Sequence, residues 1–292
     1  MVSSTLAPRP HWSSQYRLWC WGLVVALMVG CSTTPPVERT PGASAVWLGG
    51  TPRVVVRLDA MQVKAWRRVT QSRPSLRAVG ERTRAVWLGF DLDNLDDFKR
   101  AAQAVRIVLE GDFPKGLASM MLDWNSSWKK GTTPGLWTNA KLQLNVSLPE
   151  EGVVAARRGE LVPADRADGV LRDLDPKEVE AAAVWLSFWS PGEALFGETG
   201  ARLLPVERLD VILSAQGDVL RGPVILRFPD ERSAAAGTVL LKLFGPQVHS
   251  RFGQDLEWTV EGTRVVGTAL EIREADLHAL AERLIGPAQE DK

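Results

Sequence analysis

The sequence predicts an α+β protein, α/β/α-like in its layering, with an antiparallel or mixed sheet covered by amphipathic helices and built as two degenerate pseudo-repeats. Three observations predict it. The tetrapeptide AVWL occurs at Ala45–Leu48, Ala85–Leu88 and Ala183–Leu186, each time as a short β-favouring run bordered by glycine, serine or charged residues. The second and third copies are followed by the same order of elements: helix, strand, helix, hairpin, helix. Two segments, 141–156 and 255–272, alternate apolar and polar residues with period two around a turn, the mark of a hairpin with one wet face.

The elements follow in order. Residues 1–30 contain Arg9 and Arg17, no acidic residue, and the apolar run Leu18 to Gly30. A basic start followed by a short apolar core reads as an export signal. Thirteen residues at about 1.5 Å each fall short of a hydrocarbon core of roughly 30 Å, which argues against a permanent transmembrane helix. Residues 31–43 are rich in proline and threonine and read as a tether. The first copy of AVWL is expected to be a strand, followed by a strand at Arg53–Leu58 and a helix at Ala60–Val69. The first half, 44–175, then runs through the second AVWL strand, a helix opening at Asp93, a strand at Val105–Gly111, a helix at Gly116–Trp124 and the first hairpin. The second half, 176–292, starts with a helix near Pro176–Ala182. The third AVWL strand, a helix at 192–204, strands Leu209–Leu213 and Val219–Phe228, a helix at 230–244, the second hairpin and a helix at Glu274–Ile285 follow.

Composition narrows the chemistry. The chain has 35 basic and 35 acidic residues; loss of Arg9 and Arg17 with the signal leaves 33 against 35, with the signs interspersed. No basic field of the kind that holds nucleic acid is present. Removing the signal also removes Cys20 and leaves Cys31 as the one cysteine, so neither a disulfide framework nor a thiolate metal site is expected. The mature chain has two histidines, His249 and His278, and no tyrosine. The acidic run Asp91–Asp97 lacks the glycine and glutamate of a calcium loop and reads as a helix cap. No phosphate loop, nucleophile elbow or metal-ligand spacing occurs. No catalytic residue, metal or cofactor is therefore assigned, and enzymatic function is not expected. Carboxylates brought together by folding remain an alternative route to catalysis.

What the sequence offers instead is apolar helical surface. Leu117, Met120, Met121, Trp124 and Trp128 recur at helical spacing and run into Lys129 and Lys130. A second aromatic segment holds Trp185, Phe188 and Trp189, and a third holds Leu240, Leu241 and Phe244. These eleven residues are the candidate lipid- or membrane-contacting set. Nine of the twelve tryptophans survive removal of the signal, which suits a fold that encloses apolar space or meets lipid.

The run Leu27-Met28-Val29-Gly30-Cys31 resembles the lipobox of bacterial lipoproteins, with Met28 where that family usually has leucine. The resemblance implies acyl chains, palmitate among them, on Cys31, and Ser32 in place of aspartate implies passage to the outer membrane of a diderm host. With Cys31, the Trp- and Met-rich helices and the two-part pattern together, the mature chain resembles, in length and layout, the spirochaetal (treponemal) outer-membrane lipoproteins held at the inner leaflet. That likeness implies an α/β/α fold with a hydrophobic cavity, closed and open forms, and a place in the periplasmic leaflet. It also implies membrane lipids as partners, a lipid or glycolipid as ligand, and a role in membrane biogenesis or permeability. The alternative is an envelope assembly protein that docks partner proteins through its aromatic patches. Oligomeric state is left open by the sequence.

Overall fold

A computed structural model describes residues 43–50, 52–92, 104–140, 144–158, 175–243 and 256–285. The signal, the tether before Ala43 with Cys31, the helix expected from Asp93, and residues Phe244 and His249 lie outside the described residues. What is described is a mixed α+β fold on one twelve-stranded sheet, every pairing of which is antiparallel. The two halves thus share a single sheet.

The strands are β1 (Val54–Asp59), β2 (Thr83–Phe90), β3 (Arg106–Gly111), β4 (Lys129–Lys130), β5 (Leu136–Asn139), β6 (Leu144–Ser147), β7 (Val153–Arg158), β8 (Val184–Trp189), β9 (Arg208–Gln216), β10 (Val219–Arg227), β11 (Glu257–Glu261) and β12 (Arg264–Arg273). They lie in the order β11-β12-β10-β9-β8-β1-β2-β3-β7-β6-β5-β4. The helices are α1 (Lys64–Gln71), α2 (Pro74–Arg82), α3 (Lys115–Trp124), α4 (Pro176–Ala181), α5 (Gly192–Leu203), α6 (Glu231–Leu243) and α7 (Glu274–Ile285).

The sheet explains two of the three AVWL copies. β1 lies between β2 and β8, and both neighbours meet it in one register: Arg57 faces Trp87 on one side and Trp185 on the other, and Val56 faces Leu88 and Leu186. The repeated tetrapeptide therefore lines both flanks of one central strand with the same side chains. The first copy does not form a strand. Ala43–Leu48 is a 3₁₀ helix, followed by Gly49 and Gly50 with φ of 66° and 60°. With both edges of β1 already taken, that copy instead lays Ala45 and Leu48 on the sheet, an instance of context overriding β propensity.

Outward from β1, the first half continues from β2 to β3, β7 and β6, and the second from β8 to β9, β10, β12 and β11. Each outer hairpin joins through its second strand. Between β8 and its outer hairpin the second half has two strands, β9 and β10, where the first half has β3 between β2 and its hairpin, so the two hairpins meet the sheet in opposite directions.

Alternation divides the side chains between two faces. Val54, Phe188, Leu209, Val224 and Leu226 point to the face that α1, α5 and α6 cover. Leu122 of α3 joins Trp137, Val146 and Leu148 on that same face at the far end. Val55, Trp87, Val108, Ala155 and Trp185 point to the other face, under the 3₁₀ helix and Val179 of α4. There the Trp87 and Trp185 rings meet edge-on at 6.5 Å. Arg57, buried between them, donates to the carbonyls of Val179 and Ala182 at 3.1 Å each, where the α4 C-terminus leaves carbonyls unsatisfied.

The halves are also stitched by a carboxylate. The expected helix from Ala60 begins only at Lys64, because Asp59 accepts the Met61 and Gln62 amides at 2.8 and 3.0 Å and holds a turn there. Val63 has no side chain able to cap α1, and Glu274, the buried first residue of α7, does so from the other half by accepting the amides of Lys64 at 3.0 Å and Ala65 at 2.8 Å. Glu274→Ala is expected to lower stability by about 2–4 kcal/mol, read as a fall in the urea midpoint, and Glu274→Gln by about half as much.

Candidate functional site

α3 starts at Pro114 without a side-chain cap of its own; the Glu151 carboxylate, on the turn before β7, accepts the Lys115 amide at 3.2 and 3.3 Å. Met121 and Leu122 are buried and Leu117 is half-buried, while Met120 is 37% and Trp124 70% exposed. Asp123 fixes the rotation of the last turn by accepting the Trp137 indole N–H at 2.8 Å and the Lys130 ammonium at 3.3 Å. Those two donors, the indole first, hold its carboxyl below the usual aspartate range. Trp124, next along the helix, is left facing outward, with Lys130 of β4 exposed nearby.

The stripe expected from Leu117 to Trp128 is broken by this geometry. α3 ends at Trp124, and the Ser127 amide donates to the Asn125 side chain at 3.0 Å in a turn that brings Trp128 back onto Trp137 and Leu122. Met120 and Trp124 form the outer surface; Met121 and Trp128 belong to the inner one.

α6 is capped by Asp230, which accepts the Ser233 amide at 2.7 Å and its hydroxyl at 2.8 Å, and these bonds lower the Asp230 pKa. Ala234, Gly237, Thr238 and Leu241 form its buried side. Gly237 is required by close approach: a Cβ there would lie 2.5 Å from the Phe228 ring. Leu241 is therefore core, Leu240 is half-buried, and the outward apolar residues are Val239 and Leu243, one helical turn apart. The i, i+4, i+7 spacing of Ala234, Thr238 and Leu241 marks that inner side in the sequence.

The aromatic segment of β8 is interior in this conformation. Trp185 and Phe188 are buried on opposite faces of the sheet, and Trp189 is half-buried against the Trp87 cluster. This strand, flanked by β1 and β9, has no free edge, and the buried Trp185 and Phe188 present no surface to a membrane. The structure thus brings Leu117, Met120 and Trp124 together on α3 and places Leu240 with Val239 and Leu243 on α6, at the opposite end of the sheet. Among the described residues no three His, Cys, Asp or Glu side chains gather to hold a metal, and no helix is long and apolar enough to cross a membrane.

No protein-family model and no curated protein sequence matches the chain. Solved structures do. Crystal form I of TP0453 aligns over 86% of this chain and 99% of its own at 16% identity and a TM-score of 0.53. Crystal form III aligns over 82% and 97% at 15% identity and 0.52, and crystal form IV over 82% and 99% at 14% identity and 0.50. The chain has a TP0453-like fold.

Proposed function

We propose that the chain is a lipid-anchored envelope protein that binds lipid or glycolipid and seats amphipathic helices in the periplasmic leaflet of the outer membrane. The observation that carries the reading is Trp124, 70% exposed on a helix whose opposite side is core, with Met120 a turn away and Lys130, which bonds the adjacent Asp123, beside it. Indole favours the boundary between hydrocarbon and water, and lysine meets lipid phosphate. The TP0453-like fold supports the reading, since TP0453 is a treponemal outer-membrane-associated lipoprotein. So does the lipobox ending in Cys31.

In this mechanism the acyl chains hold the domain at the leaflet, since two chains anchor stably where one is marginal. α3 enters the interface through Met120 and Trp124. α6, resting on Phe228 through Gly237, lifts from the sheet to open apolar space for the ligand. Greater affinity of lipid for the lifted form drives the change. The two halves are read as copies of one unit, supported by the shared outward order of their strands.

The test mixes the non-lipidated Ser32–Lys292 chain with liposomes and follows flotation and tryptophan emission. Wild type is expected to float with a blue shift. Trp124→Glu/Leu243→Glu removes apolar surface worth about 1.5–3 kcal/mol per side chain and is expected to weaken partitioning at least tenfold while the fold is kept. A folded wild-type chain that neither floats nor shifts would transfer the aromatic surface to docking of partner proteins.

A further inference from the structure

The face opposite α3 carries a row of polar residues that lipid insertion of the helices does not use. Register places Gly89, Arg106, Arg157, Asn145, Thr138 and Lys129 side by side across β2, β3, β7, β6, β5 and β4. Alternation sends Arg106 and Arg157 to the same face as Val108 and Ala155. The two arginines are direct cross-strand partners, an arrangement that like charge disfavours.

Each guanidinium leaves its Nε donor unmet among the described residues. The Nε of Arg106 and the Nε of Arg157 are both buried without a hydrogen-bond partner among the described residues. Arg106 spends its Nη1 on the Gly49 carbonyl at 3.0 Å and reaches Asp91 at 3.4 Å, a carboxylate half exposed to water. Burial, and then Arg157, draw the Arg106 pKa down while Asp91 opposes. A buried donor left unmade is costly, and two in adjacent arginines make an acceptor shared between them favourable.

We propose that the Arg106–Arg157 pair binds a phosphate group, carried by inorganic phosphate or by a phospholipid headgroup. The planar fork of guanidinium matches phosphate oxygens two at a time, so one dianion seated between the two side chains as they part offers acceptors to both Nε donors and cancels their repulsion. The 3₁₀ helix, where the described chain begins, packs beside this row on β2, β3 and β7. The site lies on the other side of the sheet from α3 and α6 and stands whether or not those helices enter lipid.

The experiment titrates the full chain, in one non-ionic detergent, with inorganic phosphate against chloride at constant pH and ionic strength, and follows the thermal unfolding midpoint. A parallel arm dopes the micelles with phosphatidic acid or, as control, an uncharged diacylglycerol. A rise with inorganic phosphate supports a free-phosphate site, and a rise with phosphatidic acid alone supports a headgroup site. Arg157→Gln leaves the Arg106 bonds to Gly49 and Asp91 in place and is expected to weaken the effect at least about tenfold; Arg157→Lys, with charge but no fork, should lie between. No rise in either arm, or an equal rise in folded Arg157→Gln, overturns the proposal. Since the phosphate arm contains no bilayer, its failure is distinct from a failure to float on liposomes.

Discussion

Asp210→Ala is expected to destabilise the fold by about 3–5 kcal/mol, a large part of the 5–15 kcal/mol typical of a domain. Asp210 is 1% exposed on β9, on the face that carries Trp185. Its carboxylate accepts the Ser187 hydroxyl at 2.6 Å from β8, Arg208 Nε at 3.1 Å, and Arg227 Nε at 2.7 Å from β10. The Arg208 side chain is almost as buried, so deleting the carboxylate takes an acceptor and a negative charge away from a guanidinium in the interior. The cost is that of weakening the compensation of a buried charge, which exceeds the worth of the bond itself. Asp210→Asn keeps the shape and one acceptor and should cost less. Urea unfolding at constant slope checks this: a midpoint close to wild type for Asp210→Ala would mean that water reaches Arg208 far more readily than its burial indicates.

Trp87→Ala and Trp185→Ala are each expected to cost about 3–5 kcal/mol through lost burial and the cavity left behind. The two rings touch edge-on and flank Arg57, whose guanidinium lies 6.0 Å from the Trp87 ring centre. The effects should therefore be non-additive, with a coupling of about 0.5–1.5 kcal/mol in a double-mutant cycle. Trp87→Phe separates two contributions, because it fills most of the space but leaves Glu110, which accepts the indole N–H at 2.7 Å, without that donor. A simple sum for the double alanine variant would show that the rings pack against the sheet independently of each other.

How much of this was legible in the sequence depended on range. Strands β2, β8, β10 and β12 are runs long enough for composition and alternation to identify, and the helices at 115–124 and 231–243 carry a clear apolar period. The first AVWL copy misled because strand propensity is neutral on whether a partner edge exists. β4 and β5, of two and four residues, are too short to stand out, and with them Trp137 was missed as the residue that orients the end of α3. At the candidate surface the sequence did not separate the two sides of each helix: Leu241 and Met121 point inward, and Val239 and Leu243 outward. A rotation of one residue separates those answers, and close seats such as Gly237 on Phe228 decide it. The Arg106–Arg157 pair and the Asp210 cluster exist only through strand register, which no local pattern encodes.

The central position of β1 has a consequence for the order in which the molecule assembles. β1 and β2 are close in the chain, but β8 occupies the other flank of β1 only after more than a hundred intervening residues have been made. During synthesis, which presents the N-terminal part first, β1 waits with one edge open, and that edge is Val54, Val55 and Val56. A nascent chain halted before Val184 would expose a bare valine strand able to recruit a second such chain. The late arrival of the third AVWL segment is thus what closes the sheet at its middle and ends the interval in which misassembly competes with folding.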